Sequence, residues 1–412
     1  MKKESSLSPY RVLDLADETG SMCGHILAML GADVIKVEKP GGDPSRHVGP
    51  FYGDDVDPEK SLHWFAYNAG KRSITLDIES TVGRDILERL VASSDFLVQS
   101  FSPGYMESLG LGYTELNSLR NGIIVVSITP FGLTGSYKDF KGNDIVAMAM
   151  SGVMSYMGEP DRAPLRFSVD QAFAHASAQG AAGALIALYF RNLSGEGQVV
   201  DISLQESLLP AAWLAPFYWD YLHLVSKRVG ARLYRAVNAR RIVYPCSDGY
   251  VSWQLLMGRI GRRTRAMVEI MDAEGMAGEL KDVAWEETDY DLVPAQRFQA
   301  WEELFGAFFL TKTKAWLYEN GKKKGTVLMP FNTTEDLLKD RQLLERDFWI
   351  DREHPELGTS LIYPGAPFKA TEPLLESLPR APFIGEHNRQ VYVDELGFSL
   401  RDMEQLNEAH VV

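Results

Sequence analysis

The sequence predicts an α/β fold, and three observations carry that expectation. Short β-branched or apolar runs recur at residues 12–15, 33–37, 73–78, 96–99 and 123–128. Helical patterns separate them, including Val82 to Ala92 and a turn and helix from Tyr113 to Leu119. The first pair is joined as strand, turn, helix, strand in VLDLADETGSMCGHILAMLGADVIKVE, where Gly31 is placed to end the helix before the second strand. Alternation of this kind sets parallel strands beside crossover helices, so the first 130 residues read as a Rossmann-like open sheet.

At 412 residues the chain exceeds the roughly 100–200 residues of one domain, and a second domain is expected. A new regime begins near Ala211, where AAWLAPFYWDYLHL gathers Trp213, Phe217, Tyr218, Trp219 and Tyr221 ahead of the basic segment KRVGARLYRAVNARR. Such an aromatic cluster is expected in a core. Arg241 to Trp253 reads as two strands joined by a Ser-Asp-Gly turn, a hairpin signal. Amphipathic helices such as WEELFGAFFL and AWLYENGKKK follow, and Lys322 to Lys324 read as a solvated helix end. The expected divisions are 1–215, 216–332 and 333–412.

Composition narrows the function classes. Hydrophobic residues at 45% and charged residues at 24% are ordinary for a globular chain. A formal charge of -14 opposes binding to nucleic acid or anionic membranes, which depends on a positive field. The stretch Gln171 to Phe190 approaches the length of a membrane span, but Gln171, His175, Gln179 and its Ala and Gly content fit a tightly packed helix better. The start carries two lysines without an apolar core of signal-peptide length, so a cytoplasmic location is expected. Cys23 and Cys246 make neither a disulfide framework nor a zinc knuckle and read as packing residues. With no H-E-x-x-H, P-loop, paired-cysteine or Ser-His-Asp pattern, no metal site is expected.

The opening unit lacks what a dinucleotide turn needs. G-x-G-x-x-G lets the backbone approach a pyrophosphate, whereas this turn has only Gly20 and Gly24, with Asp17 and Glu18 where the anion would come. Cations instead recur near other loops. Lys36, Lys39 and Arg46 flank Gly41-Gly42, which reads either as a plain turn or as a phosphate cradle; Lys71-Arg72, Lys138 and Lys141 lie near further loops. In so acidic a chain, that recurrence favours an anionic ligand. Asp170 stands before the Ala-rich helix and reads either as its N-cap or as a nucleophilic carboxylate. His175 reads as a core histidine or a pocket residue.

Several stretches together resemble the class III (CaiB/BaiF type) CoA-transferase family, which includes formyl-CoA and crotonobetainyl-CoA transferases. They are VLDLADETGSMCGHILAMLGADVIKVEKPGGDPSR, YNAGKRSITLDIES, VQSFSPGYMESLGLGYTEL, FKGNDIVAMAMSGVMSYMGEP, SGEGQVVDISLQESLL, PGAPFKATEP and APFIGEHN. The resemblance implies a large Rossmann-like domain built from both chain ends, a smaller α+β domain, and two subunits interlocked like rings. It implies CoA thioesters as substrates with no tightly bound cofactor, a carboxylic-acid acceptor, and either a homodimer or a heteromer with a related subunit. The overall likeness is nearer the succinyl-CoA:benzylsuccinate type than the formyl type. The resemblance places the catalytic aspartate on Asp170 and a second acid on Asp144. It puts Thr19, Gly20, Lys39, Lys71, Arg72, Phe101, Tyr105 and Lys141 on or beside positions that contact CoA.

Better-known members carry Gln-Ala where this chain has Thr19-Gly20, Asn where it has Ser100 and Arg where it has Ser108. These departures motivate an alternative reading, a non-catalytic CoA-binding subunit of a heteromeric transferase, against which Asp170 argues. The related α-methylacyl-CoA racemases are the other alternative. They use a histidine in a G-H-D context, where this chain has Gly142-Asn143-Asp144, and an asparagine cannot exchange a proton near neutral pH.

Overall fold

The computed structural model describes residues 5–233, 240–366, 368–371 and 378–412. Part of the basic segment 227–241 and Pro367, Glu372 and Pro373 of PGAPFKATEP lie outside the described residues.

Six parallel strands form the main sheet: β1 (Arg11–Asp14), β2 (Asp33–Glu38), β3 (Arg72–Thr75), β4 (Phe96–Gln99), β5 (Ile124–Thr129) and β6 (Val199–Ser203), in the order β3-β2-β1-β4-β5-β6. The intervening helices are α1 (Ser21–Met29), α2 (Leu62–Asn68), α3 (Thr81–Ala92), α4 (Tyr105–Ser108), α5 (Tyr113–Leu119), α6 (Asp144–Met150) and α7 (Ala172–Ser194). The order reverses on either side of β1, so the loops after β1 and β4 flank a crevice at the carboxyl edge. β4 and β5 are buried along their whole length, which is why they read as continuous apolar runs. β6 escaped the pattern reading because it is an edge strand, mostly half-buried or exposed, written VVDIS.

The expected run at 73–78 is a strand only to Thr75. Leu76 N still donates to Glu38 O at 2.7 Å, but Asp77 N turns to Val411 O at 2.7 Å. The C-terminal segment thus closes this layer. Tyr392 OH donates to Thr75 O at 2.6 Å, Thr75 N donates to Asn388 Oδ1 at 2.9 Å, and Asn388 Nδ2 donates to Thr75 Oγ1 at 2.8 Å. Val391, Tyr392, Met403 and Leu406 share one core with Leu13, Ile35, Ile74 and Leu97. The strands β12 (Trp349–His354) and β13 (Thr359–Pro364) pair antiparallel in the same compact unit, which comprises Met1–Met154, Arg166–Leu224 and Asp347–Val412.

α7 packs through small residues. Ala172, Ala176, Gly180, Ala181 and Ala184 are buried, and a Cβ on Gly183 would stand 2.6 Å from Val200 Cγ1. The outward positions Ile186, Tyr189 and Leu193 are exposed. Among the described residues no helix is long and apolar enough to cross a membrane. Helices α8 (Leu204–Leu208) and α9 (Ala215–Leu222) follow. The expectation that the aromatic cluster around α9 is core is corrected: Trp213 before it and Phe217, Tyr218, Trp219 and Tyr221 on it are all exposed in the single chain, and α9 buries none of its residues.

The second compact unit comprises Ser155–Leu165 and Val225–Arg346. After the short pair β7 (Arg232–Leu233) and β8 (Arg240–Arg241), the hairpin of β9 (Val243–Cys246) and β10 (Gly249–Trp253) closes with Gly249 opposite Cys246, and β11 (Leu328–Pro330) adds a third antiparallel strand. Helices α10 (Arg262–Ala273), α11 (Ala295–Leu310) and α12 (Lys314–Lys324) pack about Trp253, Trp285, Trp301, Phe305 and Phe309. The Lys322 to Lys324 run occupies the last turn of α12, where cations complement the helix dipole.

Candidate active site

The residues beside the main sheet fall into two groups, one locked inside and one facing outward. Lys71 is fully buried, and its Nζ donates to Asp14 Oδ2, Ser21 O and Asn68 Oδ1, each at 2.7 Å. A Cβ on Gly24 would lie 2.3 Å from Asp14 Oδ2, so this glycine makes room for the ion pair. Lys36 is likewise buried against Asp43 at 2.9 Å. Arg46 lies over Trp64 and donates twice to Glu38, at 2.6 and 2.8 Å, and once to Glu59 at 2.8 Å. Gly42 N donates to Lys39 O, and Asp43 N donates to Glu38 Oε2. The Gly41-Gly42 loop is therefore a plain turn whose neighbouring cations Lys36 and Arg46 are paired inside the protein, while Lys39 pairs at the surface with Glu79.

Arg72 stands at the other end of the sheet. It opens β3 beside Arg11, donates to Asp33 at 2.7 and 2.8 Å, and pairs with Glu395 at 2.5 Å. Arg72 is thus not brought to the loop edge that the spacing suggested. The Lys71 ammonium reaches that edge, beside the last residue of β1 and the first of α1, but is sealed inside it. Lys39, Phe101 and Tyr105 are brought there as well. Lys39 Nζ lies 3.3 Å from Glu79 Oε1, the Tyr105 hydroxyl donates to the same oxygen at 2.9 Å, and the Phe101 and Tyr105 rings sit 4.7 Å apart. Lys141 is exposed on the loop before α6.

Thr19 and Gly20 belong to the turn after β1, which is tied to the loop after β4. Asp17 N donates to Ser100 Oγ at 2.9 Å, Ser100 Oγ donates to Asp17 Oδ1 at 2.8 Å, and Thr19 N donates to Asp17 Oδ1 at 2.9 Å. Gly20 is required by close packing, since a Cβ there would meet Ala16 Cβ at 2.8 Å.

Asp144 and Asp170 are brought together. Arg166 Nη1 lies 3.6 Å from Asp144 Oδ2 and 3.5 Å from Asp170 Oδ1. Their exposures differ sharply: 4% for the Asp144 side chain and 44% for Asp170. The N-cap reading of Asp170 is corrected, because α7 begins at Ala172 and its first amide is capped from another helix: Ala172 N donates to Asp144 Oδ1 at 2.7 Å. Asp144 Oδ2 is buried and has no hydrogen-bond partner among the described residues. Burial pushes the Asp144 carboxyl above the ordinary carboxylate range and the charge of Asp170 adds to this, against the Ala172 amide. His175, one turn from the cap, donates its backbone N–H to Gln171 O as an ordinary helical residue.

Three further residues surround Asp170 that the sequence reading did not single out as site residues. Burial, then the charges of Asp17, Asp170 and Asp43, raise Glu18. Burial holds His63 below its ordinary value, although Asp170 and Asp43 oppose this. Burial and then Asp170 raise the Tyr67 phenol. The His63 and Tyr67 rings lie 4.8 Å apart on α2, and His63 Nδ1 is buried without a partner among the described residues. Their spacing of i, i+4 in SLHWFAYN was the available signal.

Residues 7–388 match CoA-transferase family III. The chain belongs to this family. Enzymes so named use CoA thioesters as substrates. It is 34% identical over 401 residues to the succinyl-CoA:(R)-benzylsuccinate CoA-transferase subunit BbsE of Thauera aromatica, covering 97% of this chain and 96% of the relative. It is 30% identical to the succinyl-CoA–D-citramalate CoA-transferase of Chloroflexus aurantiacus, covering 98% of each. Among solved structures, a CaiB/BaiF family protein from Brucella suis superposes with a TM-score of 0.84 at 28% identity, over 95% of this chain and 100% of that one. For a CoA-transferase, the arrangement supplies an accessible carboxylate, a buried second carboxylate of raised pKa, one shared arginine and an imidazole of lowered pKa. Among the described residues no cluster of three or more metal-ligating side chains occurs.

Proposed function

We propose that this chain transfers CoA from an acyl-CoA donor to a carboxylic acid, with Asp170 as the nucleophile. The observation that carries the reading is the asymmetry of the two aspartates. Asp170 is nearly half exposed beside Arg166, while Asp144 is buried and occupied in holding the N-terminus of α7. Moving CoA between acids without losing the thioester's reactivity requires an intermediate of similar reactivity, and an anhydride provides one.

An Asp170 oxygen attacks the donor carbonyl carbon, the C–S bond breaks, and CoA leaves as thiolate from an aspartyl-acyl anhydride. The thiolate attacks the aspartyl carbonyl, releasing the donor acid and leaving an aspartyl-CoA thioester. The acceptor carboxylate attacks that thioester, expels the thiolate and forms a second anhydride. Attack of the thiolate on the acceptor's carbonyl then yields the new acyl-CoA and restores Asp170. Amide donors at the start of α7 are suited to the tetrahedral oxyanions. In this reading Lys39, Phe101, Tyr105 and Lys141 contact CoA, with Thr19 and Gly20 lining the turn beside it. Lys71 and Arg72, already paired, are left out of that set.

For substrates we propose a succinyl-CoA-type donor and an acceptor acid larger than oxalate, supported by the likeness to the benzylsuccinate relative. The assembly we propose is an interlocked homodimer. A heteromer with a related chain is the second reading, favoured because that relative is itself a named subunit. Asn143 accepts from Val146 N at 3.3 Å as the cap of α6, which argues against a racemase acid or base at that position. Incubation with acyl-CoA and hydroxylamine, followed by peptide mass mapping, is the direct experiment. A hydroxamate on Asp170 supports the intermediate; transfer activity with no modification at Asp170 counts against it.

A further inference from the structure

A pocket of about 320 Å³ in the first compact unit is lined by His25, Met29, Ala66, Ile350, Arg352 and Tyr363, among others. None of its lining residues belongs to the Asp170 group. Its walls are mostly apolar, and one strong cation faces into it. Arg352 is only 8% exposed, yet among the described residues no carboxylate forms an ion pair with it. Its Nη1 donates to the Pro379 carbonyl at 3.3 Å, its guanidinium lies 5.0 Å from the Tyr363 ring centre, and its Nε is buried with no acceptor among the described residues. The nearby described groups do not neutralise it. The Tyr363 hydroxyl is hydrogen-bonded to His354 Nε2 at 2.9 Å, Glu356 is taken by His354 and Arg380, and His25 Nδ1 faces Ala69 O at 2.8 Å.

A guanidinium removed from water without an anion carries a desolvation cost that no carboxylate among the described residues offsets. A planar carboxylate matches the fork of N–H donors that Arg352 leaves open, and the volume suits a compact ligand. We propose that this pocket is a second binding site, distinct in its lining from the Asp170 site, for a small carboxylate with an apolar body. The carboxylate accepts from the Arg352 guanidinium, and the apolar body rests on Met29, Ile350 and the Tyr363 ring.

Calorimetric titration of the full chain with benzoate tests this, with benzyl alcohol as the neutral isostere. One benzoate per chain is expected, with binding by benzyl alcohol at least tenfold weaker. Asp170→Asn should bind benzoate as the unaltered chain does, Arg352→Gln at least tenfold more weakly, and Arg352→Lys in between. Should Arg352→Gln fail to fold, Ala66→Trp narrows the pocket from the exposed side of α2 and should abolish binding without moving the unfolding midpoint. Equal binding of benzyl alcohol, loss of benzoate binding in Asp170→Asn, or unchanged binding in both Arg352→Gln and Ala66→Trp would overturn the proposal.

Discussion

The Asp144 carboxylate reaches from the first turn of α6 to accept from the Ala172 amide at 2.7 Å, so one helix caps another across 28 residues of chain. The contact satisfies an orphan donor of α7 and fixes the segment that carries Asp170. Asp144→Ala should therefore cost about 1 kcal/mol of stability, the usual value of a lost N-cap acceptor. Asp144→Asn keeps an oxygen in place and removes a buried charge, so it should cost clearly less. Urea unfolding at pH 7 separates the two; equal losses would mean the cap contributes nothing.

Asp170 makes the opposite prediction. Its side chain is 44% exposed and its ion pair with Arg166 is long, so Asp170→Ala should change stability by no more than about 0.5 kcal/mol. Transfer should fall by about three orders of magnitude or more, as expected for loss of a nucleophile. A variant that folds and turns over at the unaltered rate would remove Asp170 from the mechanism.

Lys71 and Lys39 divide structural from ligand-facing cations. Lys71→Met leaves Asp14 buried and uncompensated, which should cost about 3–5 kcal/mol. Lys39→Ala touches only an exposed pair with Glu79 and should leave stability within about 0.5 kcal/mol while raising the KM for acyl-CoA several-fold. Steady-state kinetics at low salt, set beside thermal unfolding, reads both. A KM unchanged by Lys39→Ala would place CoA elsewhere.

The parallel sheet was legible because inner strands such as β4 and β5 are buried on both faces and a crossover helix such as α3 is amphipathic. Edge strand β6 was not, since half-exposed VVDIS lacks that signal. Asp144 and Asp170 could be named from motif resemblance, but which of them caps α7 could not, because capping from a distant helix leaves no local spacing. Lys71 looked like a loop cation for a similar reason: its partner Asp14 lies 57 residues away. His63 and Glu18 are tied to Asp170 only by the fold, since neither lies near it in the chain in a way that spacing reveals.

His25 gives a pH dependence. Burial lowers its pKa to about 4, against about 6.5 when unfolded. The unfolded chain therefore binds the proton first on acidification. The contribution is fully present above pH 6.5 and is lost as pH falls toward about 4, amounting to roughly 3 kcal/mol at most. His25→Gln can still donate to Ala69 O and has no such titration. The drop in unfolding free energy between pH 7 and 4.5 should be smaller in this variant, and an identical drop would show that His25 is not a contributor.

The outward aromatics predict an assembly. Trp213, Phe217, Trp219 and Tyr221 are 58–76% exposed, as are Ile186, Tyr189 and Leu193 of α7 at 68–71%. Folded monomers rarely leave so many large apolar side chains in water, so these are the contacts expected of a partner subunit. Light scattering should give twice the 46.1 kDa of one chain. Trp219→Glu and Tyr189→Glu together should shift it toward one, since each buries a charge in a closed interface. A monomeric unaltered chain would rule out the homodimer, and gain of transfer activity on adding a related chain would then establish the heteromer.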